Sequence, residues 1–347
     1  MNITRTNTYY GGNGSPDLSP HDPGASRSGR DAAKRLVCVV GPTACGKTRM
    51  GVLLAKQLGG EVVSCDSMQL YRGMTIGTAA PTEAETEGVP HHMVGVADPR
   101  EPYSAARYAE EAGECVDDIL RRGKQVIVVG GTGLYLDALL AGRRFAAGQP
   151  GGAVRQKLKA RLEAEGTDAL LRELRAIDPE SAARAEPANR KRLLRALEVW
   201  YETGRTLTQH NRETAAIPPR YEAVFLGFAF ENRADMRERI DRRAEAMAAD
   251  GLFEEVRSLL EAGVPRDSTA MQAIGYKECL ACLDGGASRE EALEEIKLRS
   301  RQYAKRQLTW LRRNPAIHWF LWKKNLDFPA ALSFSTEILA AYGVSCL

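Results

Sequence analysis

Eight consecutive residues, Gly41-Pro42-Thr43-Ala44-Cys45-Gly46-Lys47-Thr48, combine glycines, a lysine and a threonine at the spacing G-x-x-x-x-G-K-[ST]. A loop of this kind turns successive backbone N–H groups inward, and with the N-terminus of a following helix it cradles phosphate oxygens. The lysine ammonium reaches the terminal phosphate oxygens and the threonine hydroxyl sits on Mg²⁺. The octapeptide lies between the apolar run Leu36-Val37-Cys38-Val39-Val40 and a helical pattern, which is the strand-to-helix context the loop requires. Lys47 and Thr48 are therefore read as a phosphate contact and a metal contact, and the whole loop as a polyphosphate site.

What the phosphate serves depends on the acids. In nucleotide-hydrolysing loops of this type, an acidic residue at the end of another buried strand helps to hold Mg²⁺. Here the run Val126-Ile127-Val128-Val129 leads instead into Gly130-Gly131-Thr132-Gly133-Leu134-Tyr135, without a carboxylate. The acid that does follow a buried run is Asp66, after Val62-Val63-Ser64-Cys65. At the C-terminal end of a parallel strand it points into the crevice where ligands bind. There it serves as a general base or a metal ligand, or it caps a following helix.

Asp66-Ser67-Met68-Gln69-Leu70-Tyr71-Arg72, taken with Gly41–Thr48, closely resembles the tRNA dimethylallyltransferases, which prenylate N6 of adenosine 37. The resemblance continues through Gly77-Thr78-Ala79-Ala80-Pro81, Pro90-His91-His92, Gly130–Tyr135, Gly275-Tyr276-Lys277-Glu278 and the stretch Arg301–Trp310, in the family's order and across nearly all of 35–313. It implies that the loop holds dimethylallyl diphosphate rather than ATP, with Mg²⁺ as cofactor and tRNA as partner. It implies that Asp66 takes the proton from N6, that Ser67, Met68 and Gln69 help to hold the nucleotide, and that Thr132 bonds the diphosphate near its bridging oxygen, beside the attacking nitrogen, and so also contacts the tRNA. Cys45 stands where the family usually has serine, which places an oxidisable thiol in the loop. Arg239 and Arg243, four apart and so on one helix face, match a stretch that contributes arginine over the diphosphate. A surface pairing with Asp235 or Glu238 is the other reading of these two.

Basic clusters agree with a nucleic-acid partner. Residues 297–313 hold seven cations and no acids, and each phosphate contact adds salt-dependent affinity. Arg190-Lys191-Arg192-Leu193-Leu194-Arg195 lies in the segment that contacts tRNA in the family, so Lys191, Arg192, Leu193, Leu194 and Arg195 are expected tRNA contacts. Arg155 matches another such position. The pair Cys279/Cys282 lacks a second pair or a histidine and is read as packing. His91-His92 is read as part of a structural loop.

The elements that must position these groups follow from periodicity. The short apolar runs at 36–40, 62–65 and 126–129 are strands buried on both faces. Helical stretches at Arg49–Leu58 and Ser104–Arg122 separate them, which gives a parallel sheet with helices on its faces. The fold class is α/β, a P-loop NTPase-like parallel sheet flanked by helices, with a helical insertion. The insertion is placed at 148–218, after the linker Gly148-Gln149-Pro150-Gly151-Gly152. The catalytic core comprises 35–147 and 219–347, re-entered by Val224–Phe228 and followed by helices that end in Tyr303–Arg313. Residues 1–34, with five Gly, three Pro and four Ser, read as a flexible tail.

The composition excludes several classes. The chain has 347 residues, 44% hydrophobic and 27% charged, with 48 Lys+Arg against 45 Asp+Glu for a net +3, so it is not a disordered chain. No run of about 18 apolar residues exists, so no membrane-spanning segment is expected. Seven scattered cysteines without a secretion signal read as reduced thiols in the cytoplasm. A monomer is expected. Nothing after Arg313 offers the zinc-finger ligands that some eukaryotic relatives carry, which favours a bacterial-type enzyme. Free AMP, ADP or ATP is the alternative acceptor, as in the adenylate (cytokinin-type) isopentenyltransferases. A small-metabolite kinase and a non-catalytic RNA-binding module are the remaining readings.

Overall fold

The computed structural model describes residues 35–141, 152–185 and 189–344. The tail at 1–34 and the glycine-rich linker before Gly152 lie outside the described residues.

Strand β1 (Leu36–Val40) and helix α1 (Lys47–Leu58) flank the phosphate loop. They are followed by β2 (Glu61–Cys65), the single turn α2 (Glu83–Thr86), the short β3 (His91–His92), α3 (Ala105–Arg121), β4 (Val126–Gly130) and α4 (Gly133–Leu140). Helices α5 (Ala153–Ile177, kinked at Gly166, where φ is +80°), α6 (Pro179–Arg184), α7 (Arg190–Thr203) and α8 (Leu207–Ala215) form the insertion. The chain then re-enters the sheet as β5 (Ala223–Phe230). It continues through α9 (Arg233–Ala249), α10 (Leu252–Glu261), α11 (Tyr276–Leu283), α12 (Arg289–Leu311), β6 (Ile317–Trp322) and α13 (Phe328–Ala341).

The strands pair in the order β3-β2-β4-β1-β5-β6, every pair parallel. Each residue of β1, β2 and β4 is buried, as expected of strands covered by helices on both faces. One apolar cluster lies under α3, α4, α10 and α11, and a second lies under α1, α9 and α13. The insertion has its own small core, built on Leu158, Leu170, Leu174 and Leu197. His91-His92, read as loop, forms an edge strand against Val62 and Val63.

Helices start where the chemistry of their caps predicts. Ser104 accepts from Arg107 N–H to open α3, and Ser288 with Glu291 forms a reciprocal capping box at the start of α12. Because parallel strands leave their C-terminal ends on one edge, the loops after β1, β2 and β4 all emerge there, and the candidate site is at that edge.

Candidate active site

The phosphate loop turns on Ala44 and Gly46, whose φ values are +63° and +83°, and Gly46 hands the chain directly into α1. A left-handed residue in such a turn aims neighbouring N–H groups into a common concavity. Across the loop, Lys47 Nζ donates to the Pro42 carbonyl at 2.6 Å. Cys45 is fully buried; burial pushes its thiol pKa up, with the Lys47 charge opposing. The expectation of an oxidisable thiol here is corrected: water does not reach the sulfur, and its carbonyl is held by Trp322 Nε1 at 3.0 Å.

Two cavities meet at this edge. The larger, about 1090 Å³, is lined by Lys47, Thr48, Arg49, Arg239, Arg242 and Arg243 among others. The smaller, about 330 Å³, is lined by Asp66, Ser67, Met68, Arg243, Tyr303 and Arg306 among others. Ala44, Arg243 and Met247 border both. Arg239 and Arg243 thus stand over the phosphate loop and not on a solvated face. Arg239 Nε donates to the Ala44 carbonyl at 3.3 Å, and its guanidinium lies over the Phe230 ring. The Arg243 pKa is lowered by the loss of surrounding water, and the negative charge of Asp66 opposes that shift.

Asp66 is not followed by a helix. Residues 67–70 form a turn, in which Asp66 Oδ1 accepts the Met68 N–H at 2.9 Å. The helix-capping reading is therefore dropped. Next to it, Ser67 N–H donates to Thr132 Oγ1 at 3.3 Å. Thr132 stands behind the smaller cavity and does not line it. Tyr303 joins the group: burial raises its phenol pKa, the charge of Asp66 adds to the rise, and its hydrogen bond with Thr132 opposes it. Gln69 does not reach the cavity. Its amide accepts from Ser64 Oγ at 3.0 Å and donates to the Thr78 and Ala79 carbonyls, which holds the segment 78–79 in place.

Three residues with no role assigned from the sequence help to build this edge. Gln307 bridges Thr43 and Gly131. Tyr303 sits four residues earlier on the same helical face. Both lie inside Arg301–Trp310, so helical spacing within that stretch was the available signal. The Glu255 carboxylate accepts the N–H groups of Thr75, Ile76 and Gly77 and the Tyr276 hydroxyl, and so fixes the segment that walls the larger cavity.

The insertion divides the expected tRNA contacts. Arg190, Lys191 and Arg192 are exposed on α7. Leu193 and Leu194 are 1% and 5% exposed and belong to the insertion core, so the expectation that their side chains touch tRNA is corrected. Arg155 and Arg195 converge on Glu198, at 3.4 and 2.9 Å, and join α5 to α7. On α12, Lys297, Arg299 and Arg301 pair with acids, Arg301 with Asp241 of α9. Lys305, Arg312 and Arg313 form no ion pair among the described residues, and Arg306 lies over the Tyr303 ring. The described residues also hold no group of three His, Cys, Asp or Glu side chains able to enclose a metal, Cys279 and Cys282 included.

This arrangement has close relatives. The tRNA dimethylallyltransferase of Geobacillus thermodenitrificans is 45% identical over 287 residues, covering 83% of this chain and 90% of that protein. The crystal structure of the full-length tRNA isopentenylpyrophosphate transferase of Bacillus halodurans is 39% identical with a TM-score of 0.66, over 89% of this chain and 98% of that one. A eukaryotic dimethylallyltransferase, captured in crystallographic snapshots acting on tRNA, is 29% identical with a TM-score of 0.75, over 88% of this chain and 80% of that one. Residues 69–314 match the IPP transferase family, and the chain belongs to that family.

Proposed function

We propose that this chain transfers the dimethylallyl group of dimethylallyl diphosphate to N6 of adenosine 37 in tRNA, acting as a monomer in the cytoplasm. The observation that carries the reading is the meeting of the phosphate loop and Asp66 at Arg243, on the border of two adjoining cavities. One cavity is cationic and suits a diphosphate; the other is partly apolar, carries a carboxylate, and suits an extruded base. An adenine in the anticodon loop must leave its stack to enter such a pocket.

The residues divide the work accordingly. An exocyclic adenine amine is a weak nucleophile, so the leaving group must be stabilised. The loop N–H groups, Lys47, Arg239 and Arg243 neutralise the charge that develops on diphosphate. The C1–O bond of the donor breaks with its electron pair going to diphosphate. The N6–C1 bond forms, and the N6 proton passes to the Asp66 carboxylate. Thr132 bonds the diphosphate near its bridging oxygen, beside the attacking nitrogen, and Tyr303, which lines the smaller cavity, stands on the acceptor side.

Mg²⁺ fits the donor set: it keeps several waters and binds through substrate phosphates, and Thr48, at the first turn of α1 facing the larger cavity, offers one hydroxyl. When bound, the ion supplies further charge neutralisation on the diphosphate. Exposed Arg190, Lys191 and Arg192 support tRNA over a free nucleotide as acceptor, since a mononucleotide does not extend to the insertion. Free thiols at all six described cysteines and the absence of any described helix long and apolar enough to cross a membrane support a reducing, aqueous compartment.

Labelled dimethylallyl diphosphate, offered with unmodified tRNA and AMP as competing acceptors, tests the proposal. Label is expected in tRNA, dependent on Mg²⁺. Label confined to AMP would place the chain among the adenylate-prenylating enzymes.

A further inference from the structure

Helix α12 crosses the C-terminal edge of the sheet with Tyr303 and Gln307 on one face. Tyr303 reaches the Asp66–Thr132 side. Gln307, 6% exposed, reaches elsewhere. Its Oε1 accepts the Thr43 N–H at 2.9 Å, and its Nε2 donates to the Gly131 carbonyl at 3.0 Å. Thr43 belongs to the phosphate loop after β1. Gly131 belongs to the loop after β4 and immediately precedes Thr132. The two strands are neighbours, with Val40 opposite Gly130 at their ends. One amide therefore uses its acceptor on the phosphate loop and its donor on the loop that carries Thr132. The fit is close: a Cβ on Gly131 would stand 2.3 Å from Gln307 Nε2 and 2.9 Å from the Gly41 carbonyl oxygen.

We propose that Gln307 is a positioning residue that clips the phosphate loop to the Thr132 loop and so sets the spacing between the diphosphate and the attacking nitrogen. The inference rests on the prenyl-transfer reading above. It follows from the shape of the bridge. A leucine fills a similar volume but leaves a buried N–H and a buried carbonyl without partners. A carboxylate offers acceptors alone and faces the Gly131 carbonyl with a like partial charge. Only a neutral group with one donor and one acceptor satisfies both loops. A protonated carboxylic acid has that pattern too.

The last point supplies the test. Single-turnover transfer to tRNA is measured for the wild type, Gln307→Leu and Gln307→Glu from about pH 5.5 to about pH 8.5, with tRNA affinity measured alongside. Gln307→Leu is expected to lower the chemical rate by about 100-fold, the scale of a misplacement near 1 Å, while tRNA affinity stays at the wild-type value. The Gln307→Glu rate relative to wild type is expected to climb as pH falls, because protonation restores the missing donor. The Gln307→Leu ratio is expected to stay flat. Wild-type rates in Gln307→Leu would overturn the inference, and so would a Gln307→Glu ratio that does not change with pH. A wild-type protein that binds tRNA and transfers nothing would instead overturn the functional reading itself.

Discussion

At the scale of single residues, charge and burial decide most outcomes. Glu61 opens β2 at 2% exposure, with Arg122, Lys124 and His92 gathered on its carboxylate. The hydrogen bonds from Arg122 contribute most to holding its pKa well below the ordinary carboxylate range, against the opposing effect of burial. A carboxyl with a depressed folded-state pKa stabilises the fold above its unfolded value, about 4.3, and loses that contribution as pH falls through the folded value. Glu61→Gln is therefore expected to cost about 2 kcal/mol at pH 7, with the gap to wild type closing below about pH 4. Denaturant midpoints at both ends of that range measure it; a gap unchanged at low pH would contradict the account. Asp66 was legible in sequence because it follows a strand pattern and opens the quoted motif. Glu61 was not, because its partners lie at positions 92, 122 and 124, brought near only by the pairing of β2 with β3 and β4. The burial of Cys45 was hidden for the same reason: Trp322, which helps to enclose the phosphate loop, is far away in sequence.

At the scale of elements, α7 shows how one short segment serves two purposes. Arg190-Lys191-Arg192-Leu193-Leu194-Arg195 presents cations to solvent and leucines to the insertion core, as helical geometry requires of adjacent residues. The resemblance marked the segment as a tRNA contact; only the packing of α7 on α5 separates its two faces. Leu193→Ala is expected to destabilise the protein by about 2–5 kcal/mol, the cost of a cavity in a well-packed core. Removing Arg190, Lys191 and Arg192 together is expected to leave melting nearly unchanged. It should flatten the dependence of log tRNA affinity on log salt by up to about 0.7–0.9 for each phosphate that is no longer neutralised. A salt slope equal to wild type would remove α7 from the tRNA surface. The strands β1, β2 and β4 were readable because each is a continuous apolar run. By contrast β6, Ile317-His318-Trp319-Phe320-Leu321-Trp322, is not legible in the sequence: it is an edge strand with mixed exposure, and its pairing with β5 leaves no periodic mark. With α13 it closes over the phosphate loop, where Leu326 and Phe328 approach Gly46.

At the scale of the whole molecule, six parallel strands deliver the loops after β1, β2 and β4 to one edge, and later elements complete it from above. Helix α9 brings Arg239 and Arg243, and α12 brings Tyr303 and Gln307. The ion pair of Arg301 with Asp241 ties those two helices together. A sheet edge that carries the phosphate loop, together with an insertion that has its own small core, suits a reaction that must hold a small diphosphate and a large RNA at once. The most direct test of this account is the position of the product. Unmodified tRNA is reacted with dimethylallyl diphosphate, digested and sequenced by mass spectrometry, for the wild type and for Asp66→Asn. The account predicts the dimethylallyl group on N6 of adenosine 37 alone, with a loss of about 10²–10⁴-fold in rate for Asp66→Asn and tRNA binding retained. Prenylation at scattered adenosines, or an Asp66→Asn enzyme as fast as wild type, would contradict it.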